Sequence, residues 1–172
     1  MNDQIFENEW DIVAYHEAGH ALMAIACGFQ LTELSVDESD VGKGFVGYNP
    51  NATLEGDVAQ KAALVSASGL AADMLLSQQS GKQRPNDEFL GHFNDQENAN
   101  RYIALSGRSG RFDGYMAVSM WFLRANWEHV DCLAKLLKVF PKLNPNALNL
   151  EAFPKLPDEW QRWLEVVIDQ KP

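Results

Sequence analysis

Cysteine is scarce in this chain: Cys27 and Cys132 are the only two in 172 residues. Each falls within an apolar helical pattern, so both read as small buried residues and no disulfide framework is expected. Basic residues are also few, with 14 Lys and Arg against 24 Asp and Glu and a formal charge of −10. That balance argues against nucleic acid as a partner, because phosphate binding needs a basic surface. It argues less strongly against an anionic membrane. No uninterrupted apolar run is long enough to span a bilayer, which takes about 20 residues. The first residues, "MNDQIFENEWD", are acidic and polar, the opposite of a secretory signal. The cytoplasm, with reduced thiols, is the expected location. There is no G-x-x-x-x-G-K-[ST] phosphate loop either. The stretch "SGRSGRFDG" has glycines and arginines but no lysine in the required place, and reads as a mobile loop. Internal repeats and low-complexity tracts are absent.

Much of what is present is helical. Hydrophobic residues make up 46% of the chain and charged ones 22%, enough for one core. A first helix is predicted from Glu9 to Cys27, stopped by Gly28. Its apolar residues run almost all the way round, which predicts burial on every side. The alternation of Leu31 to Val36, a Gly42/Gly44 turn and Phe45 to Tyr48 predict a small hairpin, or a sheet of two to three strands. Further helices are predicted over Leu54–Leu76, Asn94–Ser106 and Met116–Phe140. The last of these offers Val118, Trp121, Phe122, Val130, Leu133, Leu136 and Leu137 as a core face. Between them, "QQSGKQRPNDEFLG" reads as a polar loop. After a Pro/Asn-rich connector, a final helix over Asp158–Asp169 carries Trp160, Trp163, Leu164 and Val167 on one stripe. The fold class is therefore mainly α (α+β), with one small sheet after the first helix. Trp127 and Phe140 are expected to join Trp121 and Phe122 in the core, and His129 to lie on a helix surface.

One stretch carries chemistry. In "VAYHEAGHALMA", His16 and His20 are four residues apart on a helix that turns about 100° per residue. They point the same way and could share one ion. Glu17 is rotated about 100° from His16, too far to be a natural ligand but able to reach a bound water. This is the H-E-x-x-H pattern: two zinc ligands and a carboxylate base. Two histidines one turn apart can also be ordinary core or surface residues. Two features weigh against that: unpaired polar groups in an apolar helix are costly, and Gly19 costs about 1 kcal/mol relative to Ala inside a helix, which implies a close approach there.

The motif and its surroundings resemble the peptidase domain of the FtsH-type ATP-dependent zinc metalloproteases. "SGLAADMLL" resembles that family's Gly-x-Ala-Ala-Glu helix, with Asp73 where Glu is usual. "FNDQENANRYIA" is similar to the segment that supplies the third zinc ligand, and "FLRANWEHVDCLAKLLKVFPKLN" to the C-terminal helix. The resemblance covers roughly residues 10–150, which are taken as the peptidase-like domain. Residues 151–172 form a connector and an amphipathic helix expected to dock on it. Carried over, the resemblance implies His16, His20 and Asp95 as zinc ligands and Glu17 as general base. Asp95 near a helix N-terminus would be favoured as an anion. His92, three residues earlier, is a competing ligand. Asp73 is a ligand or a partner for a histidine N–H. Asp87 is expected to be solvated.

The function this implies is zinc-dependent hydrolysis of peptides or unfolded protein segments, without an ATPase of its own. A separate ATPase or adaptor is a possible partner, and the oligomeric state, a homo-oligomer included, stays open. A strand of the small sheet could take up substrate backbone as an edge strand. The alternative is an inactive binding or regulatory module with a structural metal site closed by four protein ligands. A third reading is an H-E-x-x-H protease of the repressor-cleaving kind, unrelated to FtsH.

Overall fold

The computed structural model describes residues 9–37, 43–80 and 90–169. Within them are six α-helices and a three-stranded sheet, so the chain is mainly helical with a small β element. Helix α1 (Glu9–Ala26) is buried on nearly every side, as its uniform apolar composition predicts. It ends at Gly28, whose φ of +77° is the left-handed conformation that glycine adopts freely. The Gly28 N–H bonds the Ile25 carbonyl and the Phe29 N–H bonds that of Ala24, both at 2.9 Å. This Schellman arrangement satisfies the last carbonyls and turns the chain into the sheet.

Strand β1 (Gln30–Val36) pairs antiparallel with β2 (Gly44–Asn49) on one side and β3 (Lys142–Leu143) on the other. The order β2-β1-β3 leaves β2 at an edge. Helix α2 (Gly56–Ser80) crosses α1 and also packs on α3 (Leu90–Leu105) and α4 (Phe112–Ala125). Gly19 explains how close the first crossing is. A Cβ there would stand 2.7 Å from both the Ala72 Cβ and the Ser68 carbonyl oxygen, so the close approach that this glycine implies is made by α2.

Several expectations need correcting. The single helix over residues 116–140 is two: α4, and α5 (Trp127–Val139), broken at Asn126. Asn126 has a non-helical φ of −124° and ψ of 29°. Its side-chain amide donates to the Phe122 carbonyl at 2.9 Å, replacing the backbone bond that a continuous helix would make. The break lets α4 lie on α2 while α5 buries Val130, Leu133 and Leu137 against α1. Trp121 and Phe140 are not core residues, being 52% and 56% exposed; Phe122 is buried, and Trp127 is half-buried and stacked on Tyr15. Cys132 is exposed while Cys27 is buried. Phe112, Asp113 and Gly114, read as loop, begin α4, and α2 runs four residues beyond its expected end at Leu76, to Ser80. His129 is half-buried.

The C-terminal stretch ends in a helix. Two short 3₁₀ turns (Pro145–Ala147 and Leu150–Ala152) lead to α6 (Trp160–Asp169), which packs on α4. Trp160 and Leu164 are buried, and Trp163 sits edge-on to Trp121 with ring centroids 3.8 Å apart. The side chain of Val167 lies outside the described residues. No helix among the described residues is long and apolar enough to cross a membrane.

Candidate metal centre

Helix α1 points His16, Glu17 and His20 into a cleft of about 660 Å³, all three side chains being largely buried. The i, i+4 spacing stacks the two imidazoles edge to face, with Nε2 atoms 3.0 Å apart. Asp95, from α3, brings one carboxylate oxygen to 3.0 Å from the His16 Nε2 and 3.1 Å from the His20 Nε2. Three donor atoms from two helices therefore form a nearly equilateral triangle. Ligands of one tetrahedral zinc, with bonds of about 2.0–2.1 Å, lie roughly 3.3 Å apart, so the triangle is close to the size an ion requires.

The far side of each ring determines what faces the triangle. The His20 Nδ1 lies 2.6 Å from the Val65 carbonyl oxygen, which can only accept. Nδ1 must then carry the proton, and in the neutral ring Nε2 is left as a lone pair. The His16 Nδ1 lies 2.6 Å from Asp73, a residue only 2% exposed, which orients that ring in the same sense. Two imidazole lone pairs and a carboxylate oxygen thus converge. Three acceptors at this range repel one another unless a cation or protons stand between them. The donor set, two imidazoles and a carboxylate, suits zinc. The carboxylate behind His16 is the arrangement that fixes a metal-binding imidazole.

Protons are the other way to satisfy the cluster, and the charges show the pull. Burial alone would push the His16 imidazole down, but Asp73 and Asp95 outweigh it and raise it well above its ordinary value. For His20, burial again pushes down, and the charge and hydrogen bond of Asp95 together push up further, with the same upward result. Asp95 is held below the usual carboxylate range: burial would raise it, and the neighbouring histidines win. The two histidine shifts say that the carboxylates favour positive charge on the rings, and the Asp95 shift is the other side of the same attraction. Glu17 goes the other way, raised by its burial despite both histidines.

Space at the site is set by two glycines. A Cβ on Gly69 of α2 would strike the His20 Nε2 and come within 2.5 Å of the His16 Nε2. A Cβ on Gly44, the first residue of β2, would strike the Glu17 Cγ and come within 2.5 Å of its Oε1. The cleft beyond is walled by Phe45, Val46 and Tyr48 of β2 on one side and by Asn94, Asn98 and Tyr102 of α3 on the other.

All four residues carried over from the resemblance, His16, Glu17, His20 and Asp95, meet here. Of the competitors, Asp73 stands behind His16 and is not part of the triangle. Asp87 and the side chain of His92 lie outside the described residues. One supporting reason for Asp95 changes. Helix α3 is already under way at Leu90, so Asp95 sits in its second turn, where the helix dipole has faded. The imidazoles hold it ionised instead. Gly69 and the Val65 carbonyl were not singled out from the sequence, and Gly44 was read as a turn residue, whereas it begins β2. Gly69 left a signal, as a glycine inside an apolar helix like Gly19. No protein-family model matches the chain, and no curated protein matches it.

Proposed function

We propose that this chain is a zinc metallopeptidase that hydrolyses peptides or unfolded protein segments, resembling the peptidase domain of FtsH-type proteases. The observation that carries the reading is the triangle of His16, His20 and Asp95 on the floor of an open cleft, with the Glu17 carboxylate beside it. His16, His20 and Asp95 would hold the ion. Zinc bound there would act as a Lewis acid towards the scissile carbonyl and make water a nucleophile near neutral pH.

The protein's own groups do the rest. Asp73 and the Val65 carbonyl fix both ring orientations, keeping each Nε2 aimed at the ion's place. Glu17 takes the proton from the attacking water and delivers it to the leaving amine nitrogen. Its burial raises its proton affinity above that of a free carboxylate, which suits a group that must take up a proton. The β2 edge, which pairs with no strand on its outer side among the described residues, flanks the cleft. It offers backbone N–H and C=O groups to an extended substrate segment. Such binding reads main chain, not sequence, and selects unfolded segments over folded ones.

A structural metal site would be closed by a fourth protein ligand. Among the described residues the cluster has three, and it is the Glu17 carboxylate in the same cleft that favours the catalytic reading. The test is Glu17→Gln: zinc content should equal the wild type's, and hydrolysis of a quenched fluorescent casein or peptide library should fall by at least about 100-fold. Activity within threefold of wild type would sink the mechanism.

A further inference from the structure

Two glycines in this site occupy positions where glycine has no conformational reason to be. Gly69 lies in the interior of α2 and Gly44 in a strand, and neither has the positive φ found at Gly28, Gly56 and Gly107. Glycine is disfavoured in both settings because it costs more chain entropy and packs no side chain. Each is explained by what stands where its Cβ would be. For Gly69 these are the two imidazole nitrogens; for Gly44, the Glu17 carboxylate.

We infer that Gly69 and Gly44 are the positioning residues of the site, Gly69 reserving the space in which the metal-binding nitrogens meet and Gly44 the space of the base. This rests on the peptidase reading for the base, but not for the nitrogens. The imidazoles cannot yield to a methyl group on α2. His16 is tied from behind to Asp73 and His20 to the Val65 carbonyl, each at 2.6 Å, so moving either ring breaks a buried hydrogen bond. Glu17 can yield, because its carboxylate is the far end of a flexible chain. A methyl on residue 44 therefore turns the base away while leaving the ligands in place. The two substitutions should damage different functions.

The experiment compares Gly69→Ala and Gly44→Ala with wild type. Zinc affinity is measured by competition with a chromogenic chelator, stability by urea unfolding of the zinc-free proteins, and kcat and KM on a fluorogenic peptide. Gly69→Ala should bind zinc at least 100-fold more weakly. Gly44→Ala should keep zinc affinity within threefold and KM within threefold, while kcat falls at least 30-fold. Zinc affinity within threefold of wild type in Gly69→Ala, or kcat within threefold in Gly44→Ala, overturns the corresponding assignment.

If either variant fails to fold, the facing side chains are removed first. Gly69→Ala should be neutral or stabilising in a His16→Ala/His20→Ala background, and Gly44→Ala likewise in Glu17→Ala. A methyl that remains equally destabilising there means that the glycine serves backbone packing, which overturns the inference. A wild type that binds zinc but cleaves nothing sinks the peptidase reading and the Gly44 assignment with it, and the zinc arm still decides Gly69.

Discussion

The α1–α2 crossing and the α4–α5–α6 side of the molecule are both well buried, yet they bury different things. At the crossing, His16, Glu17, His20 and Asp73 are enclosed among alanines and leucines. On the other side, Phe122, Leu123, Val130, Leu133, Leu137, Trp160 and Leu164 fill the interior, and the buried Ser119 hydroxyl donates to the Leu64 carbonyl. The second region is what hydrophobic burial produces when nothing else is required. The first holds costly groups at the floor of a cleft and gives both histidine rings a partner on their far side. Stability should therefore reside in one region and chemistry in the other.

The largest effect expected on this division is from the apolar side. Phe122→Ala removes a ring that is 2% exposed and should cost about 3–5 kcal/mol in urea unfolding. The zinc bound per folded molecule should be unchanged. A loss of metal at temperatures where the variant is folded would break the separation.

A smaller effect, in the opposite sense, is expected at Asp73. Asp73→Asn keeps an acceptor for the His16 Nδ1–H but removes the charge behind the ring. Zinc affinity should fall about 10–100-fold, the range seen when such supporting carboxylates are lost. Far-UV circular dichroism should not change. Unaltered affinity would mean that Asp73 only fills space.

The mildest probe reads burial itself. Burial pushes the Cys27 thiol up to about 12, whereas Cys132 is exposed. At pH 8 the thiol of Cys27 stays protonated in the folded protein, because its pKa lies well above that pH. One equivalent of a thiol reagent should react in the native state, at Cys132, and a second only on unfolding. Mass mapping of the labelled residue decides this.

The two regions were also unequally legible in the sequence. The uniform apolar surround of "VAYHEAGHALMA" made His16, Glu17 and His20 stand out, because polar residues in such a helix need partners. Asp95 and Asp73 could be named but not ranked by spacing alone, since they reach the site only through the packing of α2 and α3 on α1. Gly44 was legible only as a turn residue: its role at the site depends on where the end of a strand lands over a side chain 27 positions earlier in the chain. On the other side, the period of the apolar residues predicted helices correctly but ran α4 and α5 together. The break at Asn126 is a local hydrogen-bonding choice, and the heptad-like pattern continues across it. Trp121 was misplaced for a different reason: in the same helix it lies about 60° round from Val118 and 100° from Phe122, at the margin of the buried face, and remains exposed beside Trp163.

The central claim is that His16, His20 and Asp95 together hold one zinc ion. Elemental analysis of purified wild type beside Asp95→Ala, after dialysis against zinc and then against buffer alone, tests it most directly. One zinc per chain in the wild type, and less than a tenth of that in Asp95→Ala, is the predicted result. Full occupancy in Asp95→Ala, or no zinc in the wild type, would contradict it.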